Sequence, residues 1–167
     1  SGAEIELVNQ ERREYFLREA LKNGAEDYDY VLIDCPPALG LLTINALVAA
    51  RAVLVPLQCE FFALEGISQL VKTIEHVKRA FNPGLDIQGI VLTMHDRRNN
   101  LSHMVVNDVR DFFGDKVYKT VIPRNIRVSE APSHGCPVII FDLNCAGSKA
   151  YLSLAGEVIH RERQISV

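Results

Sequence analysis

The sequence predicts an α/β fold, a mostly parallel sheet with helices on both faces. Three observations carry that expectation. Apolar runs of strand length alternate with helix-length segments along the chain. The runs are nearly continuous in apolar residues, as strands covered on both faces are. Strands separated by helices of this length pair in parallel, because a parallel pair needs a long crossover.

Each element has its own local reason. Gln10–Asn23 reads as a helix in which Tyr15, Phe16 and Leu17 mix with charges and Gly24 supplies the stop. Tyr28–Asp34 (YDYVLID) is a short apolar run ending in an acid, the pattern of a buried strand. Leu41–Ala50 is a short apolar helix, and Ala52–Leu57 (AVLVPL) a second buried strand. Ala63–Phe81 is the clearest periodic segment: Leu64, Ile67, Val71, Ile74, Lys78 and Phe81 keep three-four spacing, and only Lys78 is off pattern. Asn82-Pro83-Gly84 ends it.

Asp86–Met94 (DIQGIVLTM) is a third strand. Leu101–Phe113 is a helix with Leu101, Met104, Val105, Val109 and Phe112 on its apolar face. Val117–Ile122 is a fourth strand, Val138–Phe141 a candidate fifth, and Ala146–Arg163 a closing helix. No repeat or linker interrupts the 167 residues, which are read as a single domain.

Composition excludes several classes. At 48% hydrophobic and 23% charged, the chain is neither disordered nor low-complexity. No apolar run is long enough to span a bilayer, and no signal peptide is visible. Cys35, Cys59, Cys136 and Cys145 form no C-x-x-C pair, which argues against zinc and fits a reducing cytoplasm. The net charge of −3 hides an uneven distribution. Residues 95–134 hold 7 Lys and Arg against 5 Asp and Glu, while residues 1–94 hold 8 against 13.

Ligands of open α/β sheets bind beyond the carboxyl ends of the strands. The segments to inspect are therefore Asp34-Cys35-Pro36-Pro37, Gln58-Cys59-Glu60, Met94-His95-Asp96-Arg97-Arg98 and Pro123-Arg124-Asn125. A carboxylate closing a strand, as Asp34 does, can hold Mg²⁺ beside a phosphate; it can equally cap a turn. Pro36 and Pro37 fix the next turn and remove two backbone donors. Cys59 lacks the His and orienting group that a nucleophile wants. His95 and His134 are read as solvated loop residues; His76, His103 and His160 fall on helices.

Taken together, VLIDCPPALGLLTINALVAARAVLVPLQCEFFALEGI, VLTMHDRRNNLS and VIPRNIRVSEAPSHGCPVI resemble the ParA/Soj family of deviant-Walker partition ATPases. The resemblance runs from about Ser1 to about Arg163, and CEFFALEG and IPRNIRVSEAPS are similar to the chromosomal members.

It implies a P-loop NTPase-like sheet. Asp34 matches the Walker B acid that supports Mg²⁺ and the attacking water. Residues 35–39, Pro36 and Pro37 among them, match the loop that senses the γ-phosphate. Met94, Pro123 and Arg124 match the adenine pocket, and Ser129–Ser133 lies beside the nucleotide. Arg97, Arg98, Lys119, Arg124 and Arg127 match the basic segment that meets non-specific DNA through phosphates. The implied activity is ATP hydrolysis stimulated by a ParB partner in a homodimer on the nucleoid, with ATP and Mg²⁺ as cofactors.

The family's phosphate loop is not found: no Gly-Lys-Ser/Thr string occurs, nor the loop's early second lysine. The chain is thus expected to match the C-terminal part of such an ATPase. Alone it is expected neither to bind ATP tightly nor to hydrolyse it, and to carry no cofactor. Apolar sheet edges would be left exposed, open to self-association. The competing expectation is a non-enzymatic module that binds DNA or ParB, or self-associates.

Overall fold

Three of the predicted strand runs do pair. β1 (Ala52–Gln58), β2 (Asp86–His95) and β3 (Val117–Pro123) form a three-stranded sheet in the order β1-β2-β3. β2 and β3 are parallel, with Ile90 opposite Val117, Leu92 opposite Val121 and His95 opposite Pro123. The structure is a computed structural model and describes residues 6–22, 24–36 and 40–165. The helices are α1 (Phe16–Leu21), α2 (Leu41–Ala49), α3 (Ala63–Ala80), α4 (Asn100–Phe113), α5 (Ile126–Glu130), α6 (Val138–Phe141) and α7 (Ala146–Ile165).

Backbone proximity divides the chain into two compact units, residues 1–53 with 68–88 and residues 54–67 with 89–167. In the first, Leu47 and Val48 of α2 pack with Ile74, Val77 and Leu85, and Tyr15 meets Phe81 edge to face at 6.2 Å. Two amides, one buried and one half-buried, replace missing caps. Asn45 accepts the Leu17 N–H at 3.1 Å and donates to Arg13 O at 2.8 Å and Leu41 O at 3.0 Å. Asn82 donates to Leu47 O at 2.9 Å and Ala50 O at 2.8 Å, satisfying carbonyls at the end of α2 that have no helical partner.

In the second unit Val91, Tyr118, Ile122 and Leu154 form the core. Gly89 is required there: a Cβ would lie 2.4 Å from Tyr118 Cε2. Arg161 stacks over the Tyr118 ring, its guanidinium carbon 4.0 Å from the ring centroid. It also donates to Val117 O at 3.0 Å. Gly147 is likewise tight, since a Cβ would sit 2.4 Å from Val128 Cγ2.

Several expectations are corrected. Tyr28–Asp34 is not a strand; it lies outside the sheet, and Tyr28, Tyr30, Val31 and Leu32 are exposed. A parallel strand has no stability of its own. It needs a neighbouring ladder and a covering layer, and the sheet described here offers this run neither.

β1 is buried on one side only: Val55 and Leu57 are sealed while Leu54 and Pro56 are exposed. It is an edge of the described sheet, where a proline without an N–H is tolerated.

Val138–Phe141 is a helical turn and not a strand. Pro137 O accepts from Phe141 N–H at 3.0 Å, and the Ser148 hydroxyl sits 2.6 Å from Asp142 O. The first helix is shorter than Gln10–Asn23, because Arg12 adopts φ +54° and breaks it; Asn23 lies outside the described residues. On α4 the buried face is Ser102, Val105, Val106 and Val109, leaving Met104 and Phe112 exposed.

Candidate functional site

The ends of β1, β2 and β3 are tied to one another by backbone hydrogen bonds. Cys59 N–H donates to Thr93 O at 3.0 Å, one residue past β1, and the Ser102 hydroxyl donates to Cys59 O at 3.3 Å. Burial pushes the Cys59 thiol up to about 11, with the Arg110 charge opposing it, so this sulfur stays protonated and unreactive.

At the end of β2, Met94 takes φ +55°, a left-handed conformation that a side-chain-bearing residue rarely adopts. The turn that follows is held by Asp96, which accepts the Arg98 N–H at 2.9 Å and the Arg98 guanidinium at 3.3 and 3.4 Å. These hydrogen bonds hold the Asp96 carboxyl below its ordinary range. Asn99 then caps α4 by accepting the Leu101 N–H at 3.0 Å.

The His95 ring meets that of His103 edge to face at 5.0 Å, and His103 Nε2 donates to Arg97 O at 3.0 Å. Burial, then the neighbouring His103 and Arg97, lowers the His95 pKa and favours its neutral form.

At the end of β3, Arg124 N–H donates to His95 O at 3.0 Å. That bond, with the His95–Pro123 register, sets Pro123 and Arg124 against the end of β2 that carries Met94. Asn125 caps α5 by accepting the Arg127 N–H at 2.9 Å. Met94 and Pro123 are both half-buried and lie at the ends of neighbouring strands.

The other sequence-derived residues fall as follows. Asp34 is exposed in the extended stretch of the first unit, Pro36 is exposed beside it, and Pro37 lies outside the described residues. No group of three or more His, Cys, Asp or Glu side chains suited to a metal occurs among the described residues.

Arg97, Arg98, Lys119, Arg124 and Arg127 are all exposed and all lie in the second unit. They are not equivalent. Arg98 is paired with Asp96 at 3.3 Å, and Arg127 with Glu130 at 3.0 Å and Asp142 at 3.5 Å. Arg97, Lys119 and Arg124 make no ion pair among the described residues.

Sequence reasoning missed Glu157. Its carboxylate accepts the Lys119 N–H at 2.7 Å and the Thr120 N–H at 3.0 Å, bonding the backbone of β3. Burial works against ionisation, yet the two backbone N–H groups and the Thr120 side chain hold the carboxyl below its ordinary range. No local signal marks it, because its partners are 37 and 38 residues away. Asn99 and Asn125 could have been found: each is an Asn between a strand and a helix, the usual N-cap position.

Comparison with known proteins adds the following. A family model described as AAA domain matches residues 1–87. The chromosome partitioning protein ParA of Caulobacter vibrioides is 65% identical over 167 residues, covering 98% of this chain and 62% of that protein. The sporulation initiation inhibitor protein Soj of Bacillus subtilis is 55% identical over 158 residues, covering 95% and 62%.

Among solved structures, cobyrinic acid a,c-diamide synthase of Mycobacterium smegmatis with bound ADP and magnesium superposes with a TM-score of 0.79. It is 36% identical over 97% of this chain and 59% of that one. The cell division ATPase MinD of Pyrococcus furiosus gives a TM-score of 0.71 at 25% identity, over 88% and 58%. The chain spans about three fifths of the length of the curated relatives it matches.

Proposed function

The chain belongs to the AAA-domain family and is a relative of the ParA and Soj chromosome-partitioning proteins, and from that premise we propose that it forms the base-binding and DNA-facing part of a partition ATPase. The observation that carries the reading is the bond from Arg124 N–H to His95 O. It brings Pro123 and Arg124 to the strand end of Met94, where open α/β sheets take their ligands. In this reading Met94 and Pro123 sandwich an adenine ring and Arg124 borders it.

The residues fit the two ends of Mg-ATP unequally. In this reading Met94, Pro123 and Arg124 supply the base end. The phosphate end is not supplied, since these 167 residues contain no Gly-Lys-Ser/Thr string and Asp34 is a lone exposed carboxylate. Asp34 would be this chain's contribution to a Mg²⁺ site, with Pro36 and Pro37 shaping the turn after it. No hydrolytic step is derived for these residues. Mg-ATP-dependent dimerisation and ParB-stimulated hydrolysis are proposed for a protein that adds a phosphate cradle to them.

DNA contacts are proposed through phosphates, led by Arg97, Lys119 and Arg124. Arg98 and Arg127 would have to exchange internal carboxylates for phosphates, which offsets their gain. Retention of duplex DNA should fall steeply with salt. Arg97→Glu with Lys119→Glu should weaken it more than Arg98→Glu does, and equal losses would contradict this ranking. The cytoplasm and nucleoid are the proposed location; no described helix is long and apolar enough to cross a membrane.

Titration calorimetry tests the nucleotide reading. With the base end alone, adenosine, ADP and Mg-ATP bind with similar, weak affinity and without turnover, and Met94→Glu removes the binding. Mg-ATP binding far tighter than adenosine, with hydrolysis, would show that the phosphates are held here after all.

A further inference from the structure

β3 is an edge of the described sheet, and its composition is that of a strand that pairs readily. Val117–Ile122 (VYKTVI) has β-branched or aromatic side chains at five of six positions, a single charge, and neither Pro nor Gly. An edge of that kind with open backbone groups is a template for another strand.

The backbone groups along this edge are taken by side chains. Glu157 of α7 accepts the Lys119 and Thr120 N–H groups at 2.7 and 3.0 Å. Arg161, one helical turn further on, donates to Lys116 O at 3.3 Å and to Val117 O at 3.0 Å. Arg110 of α4 donates to Lys119 O at 3.2 Å. Over residues 116–120, one carboxylate and two guanidinium groups therefore make the contacts that a neighbouring strand would make. Glu157 and Arg161 also hold each other at 3.6 Å, and the Tyr118 ring braces Arg161 from below.

The register shows what Glu157 does to the strand. Between the Ile90–Val117 and Leu92–Val121 pairs, β2 advances two residues and β3 four, so β3 bulges. Successive N–H groups of a regular strand point to opposite edges, and one carboxylate could not take both. The bulge turns the Lys119 and Thr120 N–H groups to one side, and Glu157 holds them there. A bulged strand whose polar groups are already bonded offers no flat ladder to a partner.

We propose that Glu157 and Arg161, helped by Arg110, guard the β3 edge against a second copy of this chain. The excluded partner is the same strand of that copy, related by a two-fold axis and therefore antiparallel. The guard uses the backbone of Lys119 and no base-binding residue, so it stands or falls apart from the partition reading.

The test compares Glu157→Ala with Arg161→Ala, made together, against the parent chain and Leu154→Ala. Leu154 lies on α7 and is buried with Tyr118 and Ile122, so its loss loosens the helix on β3 and removes no edge-bonding side chain. Sedimentation velocity across protein concentrations reads association, and amide hydrogen exchange by NMR reads the edge. The double variant should gain a concentration-dependent dimer that neither the parent nor Leu154→Ala forms. Its Lys119 and Thr120 amides should exchange fast when dilute and about tenfold or more slowly when concentrated. Glu157→Ala alone frees two of the bonded groups, should give both signs more weakly, and carries the test if the double variant does not fold. Sedimentation like the parent's at every concentration in these variants overturns the proposal, because the edge then needs no guard. Association shared by Leu154→Ala assigns it to loosened packing, and association with fast exchange at residues 119 and 120 assigns it to another surface; either result overturns the proposal as well.

Discussion

β2 and the stretch Tyr28–Asp34 are both apolar runs that arrive at a turn carrying candidate site residues, yet they live in different surroundings. β2 lies between β1 and β3, with Ile90 and Leu92 wholly buried and Gly89 shaped to the Tyr118 ring. Tyr28–Asp34 is outside the sheet, with Leu32 92% exposed. The difference teaches that an apolar run is stabilised by what lies beside it and not by its own composition. The same holds for the sites. Met94 is fixed by a ladder and by the Arg124–His95 bond, whereas Asp34 inherits only the position of its own exposed segment.

The largest expected effect lies on the buried side of this comparison. Leu92→Ala removes a side chain with no exposure from the middle of the sheet and leaves a cavity that strand neighbours cannot fill. A loss of about 2–5 kcal/mol follows. Urea unfolding followed by circular dichroism measures it, and a loss below about 1 kcal/mol would mean that the sheet is not the packed centre it is taken to be.

Next comes the device that ties the edge of β3. Glu157 is held below its ordinary pKa of 4.5 in the folded chain. Its contribution is therefore complete above that value and is lost as pH falls through the lower, folded-state one. Glu157→Gln leaves a single acceptor for two backbone N–H groups and should cost about 1–2 kcal/mol at neutral pH. The gap between variant and parent should close on acidification. An undiminished gap at acid pH would show that the carboxylate charge is not what holds β3.

Tyr118 sharpens the picture with the opposite sign. Its ring is wholly buried and its hydroxyl has no hydrogen-bond partner among the described residues. Burial accordingly pushes its pKa up. Tyr118→Phe deletes an unsatisfied polar atom while keeping the ring against Gly89 and Arg161, so stability should hold or rise by up to about 1 kcal/mol. Thermal melting reads this directly, and a clear loss would reveal a partner for the hydroxyl.

Much of the fold was legible because the deciding signals are local. α3 is written in its three-four stripe, and β2 and β3 in runs whose neighbours are present. Asn99 and Asn125 mark two helix starts that follow strands. What was not legible depends on partners distant in sequence. Glu157 is invisible from β3. The α4 stripe was assigned to the core through Met104 and Phe112, because periodicity gives the width of a face but not which part of it touches the sheet. Val138–Phe141 read as a strand from composition, and it is a helical turn because Pro137 and Ser148 fix its ends. Of the candidate site, Met94, Pro123 and Arg124 were legible as strand-end residues, while the ranking of the basic residues needed their carboxylate partners to be seen.

The smallest expected effect is the one that tests the comparison most directly. Leu32→Ala deletes the same atoms as Leu92→Ala, from a run with the same sequence signal. At 92% exposure the lost side chain has almost no burial to forfeit, so stability should change by no more than about 0.5 kcal/mol. The matched pair cancels what the two substitutions share, namely side-chain chemistry and helix or strand propensity, and leaves the surroundings as the variable. If Leu32→Ala instead cost about 2 kcal/mol or more, residues 28–34 would be buried against something in solution. Repeating the measurement across protein concentrations then separates the sources: a loss that grows with concentration places a second copy over Leu32, and a constant one places the run in the chain's own core.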